Sequence, residues 1–219
     1  MLNELFKVAL FDVDGTLVDS EGQYSVFWGD MGKRYHPEIE NFCDVIKGTT
    51  LTQILNKYFP VEKHEQIEEE LDAYEAQMKF EFVEGAEDFV RDIHGRGVKC
   101  AVVTSSNEKK MSSLRRCIPY FDDLFDRVLT AEMFTASKPN PDCYLLGAKV
   151  FDAKIEECVV FEDALTGLEA GMRAGMFTIG FPTTNPREVI ESRCSLVVDS
   201  FKGLSYEEIV DHKMNFVGR

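Results

Sequence analysis

The apolar run VALF, residues 8–11, ends on Asp12 and empties into Val13-Asp14-Gly15. That stretch constrains the fold more than any other. A run of this kind, closed by a carboxylate and a glycine, reads as a buried strand (residues 7–12) leading into a tight turn. Residues two apart on an extended segment point the same way. Asp12 and Asp14 therefore face together past the strand's carboxyl end, where open α/β sheets hold their ligands. Two carboxylates that close repel, and coexist only with a cation, a shared proton or different roles.

Five more strands follow at 98–104, 127–131, 157–163, 177–181 and 195–198. Helical patterns lie between them. One runs through Phe89, Val90 and Ile93 and stops at Gly95 and Gly97; a second runs through Met111 and Leu114. A third opens with Asn140 as N-cap and Pro141 in first position, a fourth spans 165–175, and Ser205 with Glu208 forms a capping box for the last. Alternating strands and helices predict a Rossmann-like, doubly wound parallel α/β sheet. Residues 21–82 are different. Tyr24, Phe27, Trp28 and Met31 recur at helical spacing, as do Leu51, Ile54, Leu55 and Tyr58, and then Ile67, Leu71, Tyr74 and Met78. Ser20 and Gln23 predict a capping box at the first of these helices. The chain thus divides into a core, residues 1–18 and 84–219, and a small four-helix cap domain, residues 19–83, with hinges expected at 18–20 and 82–85.

The net charge of −15 argues against nucleic acid and against an anionic membrane as partners. No segment approaches the roughly 18 apolar residues of a membrane span. The N-terminus lacks a signal peptide's basic region and cleavage site. The six cysteines lack paired spacing and read as free thiols, so a cytoplasmic protein is expected. In so acidic a chain, an anionic substrate would need local positive charge from a divalent metal, a placed lysine or a helix N-terminus. No coiled-coil pattern is exposed, and a monomer is expected.

Four polar groups close successive core elements: Asp12 with Asp14; Thr104 with Ser105 and Ser106; Lys138 in SKPNPD; and Glu162 with Asp163. A parallel sheet puts all carboxyl ends on one edge, so these groups can share one crevice. Each has an ordinary reading as a turn, a helix cap, a solvated loop or a complement to a helix dipole. Those readings leave their common position unexplained.

In DVDGT, VVTSS, SKPNPD and FEDALTG, taken together, the chain resembles the haloacid dehalogenase superfamily, in the branch of β-phosphoglucomutase and the sugar-phosphate phosphatases. The helical insert resembles that branch's four-helix cap. The resemblance implies that Asp12 attacks phosphorus and becomes an aspartyl phosphate. Asp14 would protonate the leaving oxygen and then activate water. Mg²⁺ would be held by Asp12, the Asp14 backbone carbonyl and Asp163, with Glu162 as a further ligand or a supporting acid. Thr104, with Gly15, Thr16, Ser105, Ser106 and their neighbouring amides, would receive the phosphate, and Lys138 would neutralise it. Lys47, Gly48 and Thr49 are the cap's candidates for substrate contact.

The implied activity is hydrolysis of a small phosphorylated metabolite, a sugar phosphate, by a Mg²⁺-dependent phosphatase. Asp14 argues against dehalogenation. The alternative is a phosphosugar mutase of the β-phosphoglucomutase type. Such a mutase carries a His where this sequence has Tyr24. It carries an Arg after a Lys-Gly pair, whereas Lys47–Gly48 is followed here by Thr49, Thr50 and Leu51. A further cap lysine of the mutase falls in the acidic run near Glu69. A third reading is a catalytically silent binding protein.

Overall fold

The computed structural model describes residues 6–46, 49 and 51–217. Six parallel strands, β1 (Val8–Phe11), β2 (Lys99–Val103), β3 (Arg127–Leu129), β4 (Cys158–Glu162), β5 (Phe177–Gly180) and β6 (Leu196–Val197), form one sheet in the order β3-β2-β1-β4-β5-β6. Phe11 stands in register with Val102 on one side and Phe161 on the other. β1, β4 and β5 are buried along their whole length, which is why they read as continuous apolar runs rather than alternating ones.

Successive residues of β1 feed two cores. Ala9 and Phe11 pack with α5 (Ala86–Gly95), α6 (Glu108–Cys117) and α10 (Tyr206–Val217), through Phe89, Ile93, Met111, Leu114 and Ile209. Val8 and Leu10 face the opposite layer, where α7 (Asp142–Lys149) and α8 (Leu165–Arg173) bring Cys143, Tyr144, Ala148 and Ala170. Helices therefore cover both faces, as the alternation predicted, and the sheet is doubly wound.

Between β1 and α5 lie α1 (Glu21–Tyr35), α2 (Phe42–Val45), α3 (Leu51–Tyr58) and α4 (His64–Glu75). They enclose a third apolar cluster of Phe27, Trp28, Met31, Phe42, Ile54, Leu55, Ile67 and Leu71. α4 ends at Glu75, so Met78 lies beyond the helix to which its spacing assigned it. The chain enters and leaves this region side by side. Val18 bridges Phe82, Asp19 N–H donates to Glu81 O at 3.0 Å, and Val83 N–H donates to Leu17 O at 2.9 Å. A short α9 (Arg187–Ile190) follows β5. Among the described residues, no helix is long and apolar enough to cross a membrane.

Candidate active site

The strand ends deliver the polar groups to one place. Asp12 follows β1 and is held in line with the sheet by its N–H on Phe161 O at 3.0 Å. Glu162 is the last residue of β4, and Asp163 follows it. Lys138 comes from the loop between β3 and α7, its side chain 6% exposed. Its ammonium donates to Asp12 Oδ1 at 2.7 Å, Glu162 Oε1 at 2.6 Å and Val103 O at 3.2 Å, which uses all three of its protons.

Glu162 is as fully engaged. Oε1 also accepts from the Tyr144 hydroxyl at 2.8 Å, and Oε2 accepts the backbone N–H groups of Asp163 and Ala164 at 3.0 and 3.1 Å. Gly167 makes room for it, since a Cβ there would run into the Glu162 carboxylate. Asp163 takes the Thr16 hydroxyl on Oδ1 at 2.9 Å and the Thr184 hydroxyl on Oδ2. Thr16 thus turns toward a carboxylate. Gly15 adopts φ +74° beside Asp163 Oδ2, where a Cβ would collide.

Asp12, Glu162 and Asp163 offer carboxylate oxygens all within 4.8 Å of one another. Lys138 offsets one of these three buried charges. Burial first, and then the charges of Glu162 and Asp14, push the Asp12 carboxyl up to about 7 against the pull of Lys138. Burial, with Glu162 and Asp12, pushes Asp163 well above the usual carboxylate range. Buried oxygen donors with surplus negative charge fit a hard divalent cation. Glu162 is pinned by the Lys138 ammonium, the Tyr144 hydroxyl and two backbone amides, whereas Asp163 meets two threonine hydroxyls, which can rotate away, so that ion would fall to Asp12 and Asp163.

Asp14 lives differently. It is part-exposed, and three donors grip it: Ser20 Oγ on Oδ1 at 2.6 Å, and Ser106 Oγ and Lys110 Nζ on Oδ2 at 2.9 and 2.7 Å. Burial works to raise this carboxyl, but the Lys110 charge and the hydrogen bonds from Lys110, Ser20 and Ser106 outweigh it and hold it below its ordinary value. This corrects the expected capping box. Ser20 makes no side-chain cap at α1, because its hydroxyl serves Asp14, and Gln23 turns instead to the Lys79 backbone. At α6 the reverse holds. Asn107 caps the helix through Lys110 N–H, leaving the Ser106 hydroxyl free to reach Asp14.

Thr104 is buried at the end of β2, with Oγ1 accepting from Ser106 N–H at 3.0 Å, while the Ser105 side chain is exposed. Lys47 and Gly48 lie outside the described residues. Thr49 is exposed, and its hydroxyl donates to Ile46 O. Sequence reasoning missed Lys110, Tyr144 and Thr184. Lys110 stood one turn after Ser106 and beside core-facing Met111, which was a usable signal. Tyr144 looked like an ordinary core residue, and Thr184, in a loop, carried no signal.

The profile of the haloacid dehalogenase-like hydrolases matches residues 9–181. This chain belongs to that family. Among relatives, the validoxylamine A 7'-phosphate phosphatase of Streptomyces hygroscopicus subsp. limoneus is 27% identical over 202 residues, covering 89% of this chain and 94% of its own. Hexitol phosphatase A of Escherichia coli (strain K12) is 30% identical over 191 residues, covering 83% and 86%. Among solved structures, β-phosphoglucomutase from Clostridium difficile superposes with a TM-score of 0.80 at 22% identity, covering 98% of this chain and all of its own, a likeness of fold alone. Within the haloacid dehalogenase-like hydrolases, this chain is a phosphoric monoester hydrolase.

Proposed function

We propose that this hydrolase is a Mg²⁺-dependent phosphatase of a small phosphomonoester, a sugar phosphate, working through an aspartyl phosphate on Asp12. One observation carries the reading. Two carboxylates two residues apart are held by separate lysines, Asp12 by Lys138 and Asp14 by Lys110. That separation suits a nucleophile on one side and a proton-transfer group on the other.

In this reading Asp12 attacks phosphorus. Lys138 steadies the nucleophile and the phosphoryl oxygens, and Thr104, with the amides around Ser105 and Ser106, receives the phosphate. Asp14 gives a proton to the departing oxygen and later takes one from water. A cation held by Asp12, Asp163 and the Asp14 backbone carbonyl would supply positive charge to the phosphoryl oxygens while keeping both aspartates ionised. Glu162 acts through Lys138 as its counter-ion. Residues 19–83 serve as a cap that opens about the paired connections at 18–20 and 82–85 and excludes water on closing. Cytoplasmic residence and a monomeric state belong to the same proposal, the first supported by six free thiols.

A phosphosugar mutase must grip a second phosphate with its cap. Here Tyr24 stands where a mutase would show His, and its hydroxyl donates to Glu75 Oε1 at 2.7 Å. An acid in that place repels a second phosphate, which favours the hydrolase. The test is a panel of sugar phosphates with Mg²⁺, including glucose 1-phosphate with a bisphosphate primer. Phosphate release that Asp12→Asn abolishes supports the proposal. Isomerisation without release makes the protein a mutase, and no turnover makes it a binding protein.

A further inference from the structure

Asp14 and the helical cap share a partner. Lys110, on α6, is 8% exposed, and its ammonium sits 2.7 Å from Asp14 Oδ2 and 4.3 Å from the centroid of the Tyr24 ring on α1. The Tyr24 hydroxyl then reaches Glu75 at the end of α4, itself 8% exposed. A cation over an aromatic face, with a carboxylate at its head, is held in position and shielded from water. The same seam carries an ion pair between Lys109 and Asp72, and Arg116 donates to Ala76 O at 2.9 Å. α6 is thus the seat on which α4 rests. Another of the three donors to Asp14, Ser20, lies where the chain passes into α1.

We propose that Lys110 is a positioning residue for Asp14, aiming the proton-transfer carboxylate and tying its orientation to the cap through Tyr24 and Glu75. This rests on the hydrolase reading above. With the cap seated, the Tyr24 ring confines Lys110, and Lys110 and Ser106 fix one Asp14 oxygen while Ser20 fixes the other. The ammonium holds the ionised carboxylate, the form that acts as acceptor in the second half-reaction, and holds the protonated form that serves the first much less. In the second half-reaction a water oxygen bonds to phosphorus and the P–O bond to Asp12 breaks. Its electron pair returns to the Asp12 carboxylate, and the water proton passes to Asp14. A general base acts only from within hydrogen-bond reach, so this step depends on the aim of Asp14.

The experiment is rapid-quench kinetics on the Mg²⁺-loaded enzyme with an alkyl phosphomonoester identified by the panel, following alcohol and phosphate separately. Lys110→Met should release alcohol in a burst of about one equivalent, then release phosphate roughly tenfold to a hundredfold more slowly than wild type, as expected for losing one charged hydrogen bond. Acid-trapped aspartyl phosphate should accumulate, and Lys110→Arg should restore part of the rate. A merely structural lysine would slow both products together without a burst, and that result, like wild-type rates, overturns the inference. If Lys110→Met does not fold by circular dichroism, Tyr24→Leu carries the test, with a smaller burst expected and the same overturning results. A wild-type enzyme that turns over no monoester defeats the hydrolase reading itself, a failure recognisable without any variant.

Discussion

Asp12 and Asp14 are neighbours in sequence and opposites in setting. Asp12 is deep in the sheet edge, among two other buried carboxylates and against Lys138, and its carboxyl is pushed up to about 7 by burial. Asp14 is part-exposed, beside the entry to α1, and held below its ordinary value by Lys110 and two serines despite burial. Two groups of identical chemistry are driven apart by surroundings that arrive from different elements. In the proposed mechanism, that is how one short strand-turn supplies both a nucleophile and a proton-transfer group. The Asp12 side is overloaded with negative charge and calls for a cation; the Asp14 side is already balanced by the protein.

The largest expected effect breaks the pair on the Asp12 side. Asp12→Asn keeps the shape and removes the proposed nucleophile, and phosphate release should fall by about four to six orders of magnitude in a steady-state assay. A residual rate within tenfold of wild type would deny Asp12 that role. Next comes Lys138→Met, which leaves Asp12 and Glu162 buried without their shared cation. Removing one partner of such a cluster costs about 3–5 kcal/mol, read as a lowered denaturation midpoint in urea. The corresponding loss for Lys110→Met should be smaller, because Asp14 is within reach of water.

Metal removal sharpens the contrast through its pH dependence. In metal-free protein, Asp12 titrates near 7 in the fold and near 3.8 when unfolded, so the folded state holds more protons between those values. Stability of the metal-free protein should therefore fall as pH rises through that window, with Asp163 adding in the same direction. Added Mg²⁺ should reverse the trend, stabilising the fold most at and above pH 7, by about 2.7 kcal/mol at a hundredfold excess over its Kd, read as a raised Tm. Its binding should release protons, measurable by calorimetry in buffers of different ionisation enthalpy. A Mg²⁺ effect that is the same at pH 5 and pH 8 would count against Asp12 as a ligand. The smallest effect concerns the cap. Burial raises the Glu75 carboxyl, against the pull of Lys110 and Tyr24. The charged form is thus the costly one, and Glu75→Gln should stabilise the protein by up to about 1 kcal/mol near neutral pH. That gain should shrink as pH falls and Glu75 takes up its proton in the fold.

Much of the site was legible in the chain because its groups sit at strand ends. A buried strand announces itself as an apolar run, and the residue that ends it must lie on the sheet's carboxyl edge. Asp12, Thr104, Glu162 and Asp163 could be placed by that logic, and the six strands followed from the same pattern. The turn chemistry of Gly15 was readable for a similar local reason. What misled was also local. Ser20 and Gln23 have the spacing of a capping box, yet the serine hydroxyl donates to the Asp14 carboxylate and so turns away from the backbone N–H it would have accepted.

The sequence by itself determined a doubly wound sheet, a helical insert after its first strand, and a crowd of carboxylates at one edge, since each follows from periodicity and burial within a few residues. Only the tertiary structure decided how that crowd is shared out. The contact between Lys110 and Asp14 spans 96 residues, and that between Lys138 and Asp12 spans 126. Nothing in local spacing specifies which lysine meets which aspartate. The packing of α6 and of the β3–α7 loop against the sheet does so, because a buried or half-buried carboxylate takes the nearest cation that the fold can bring to it.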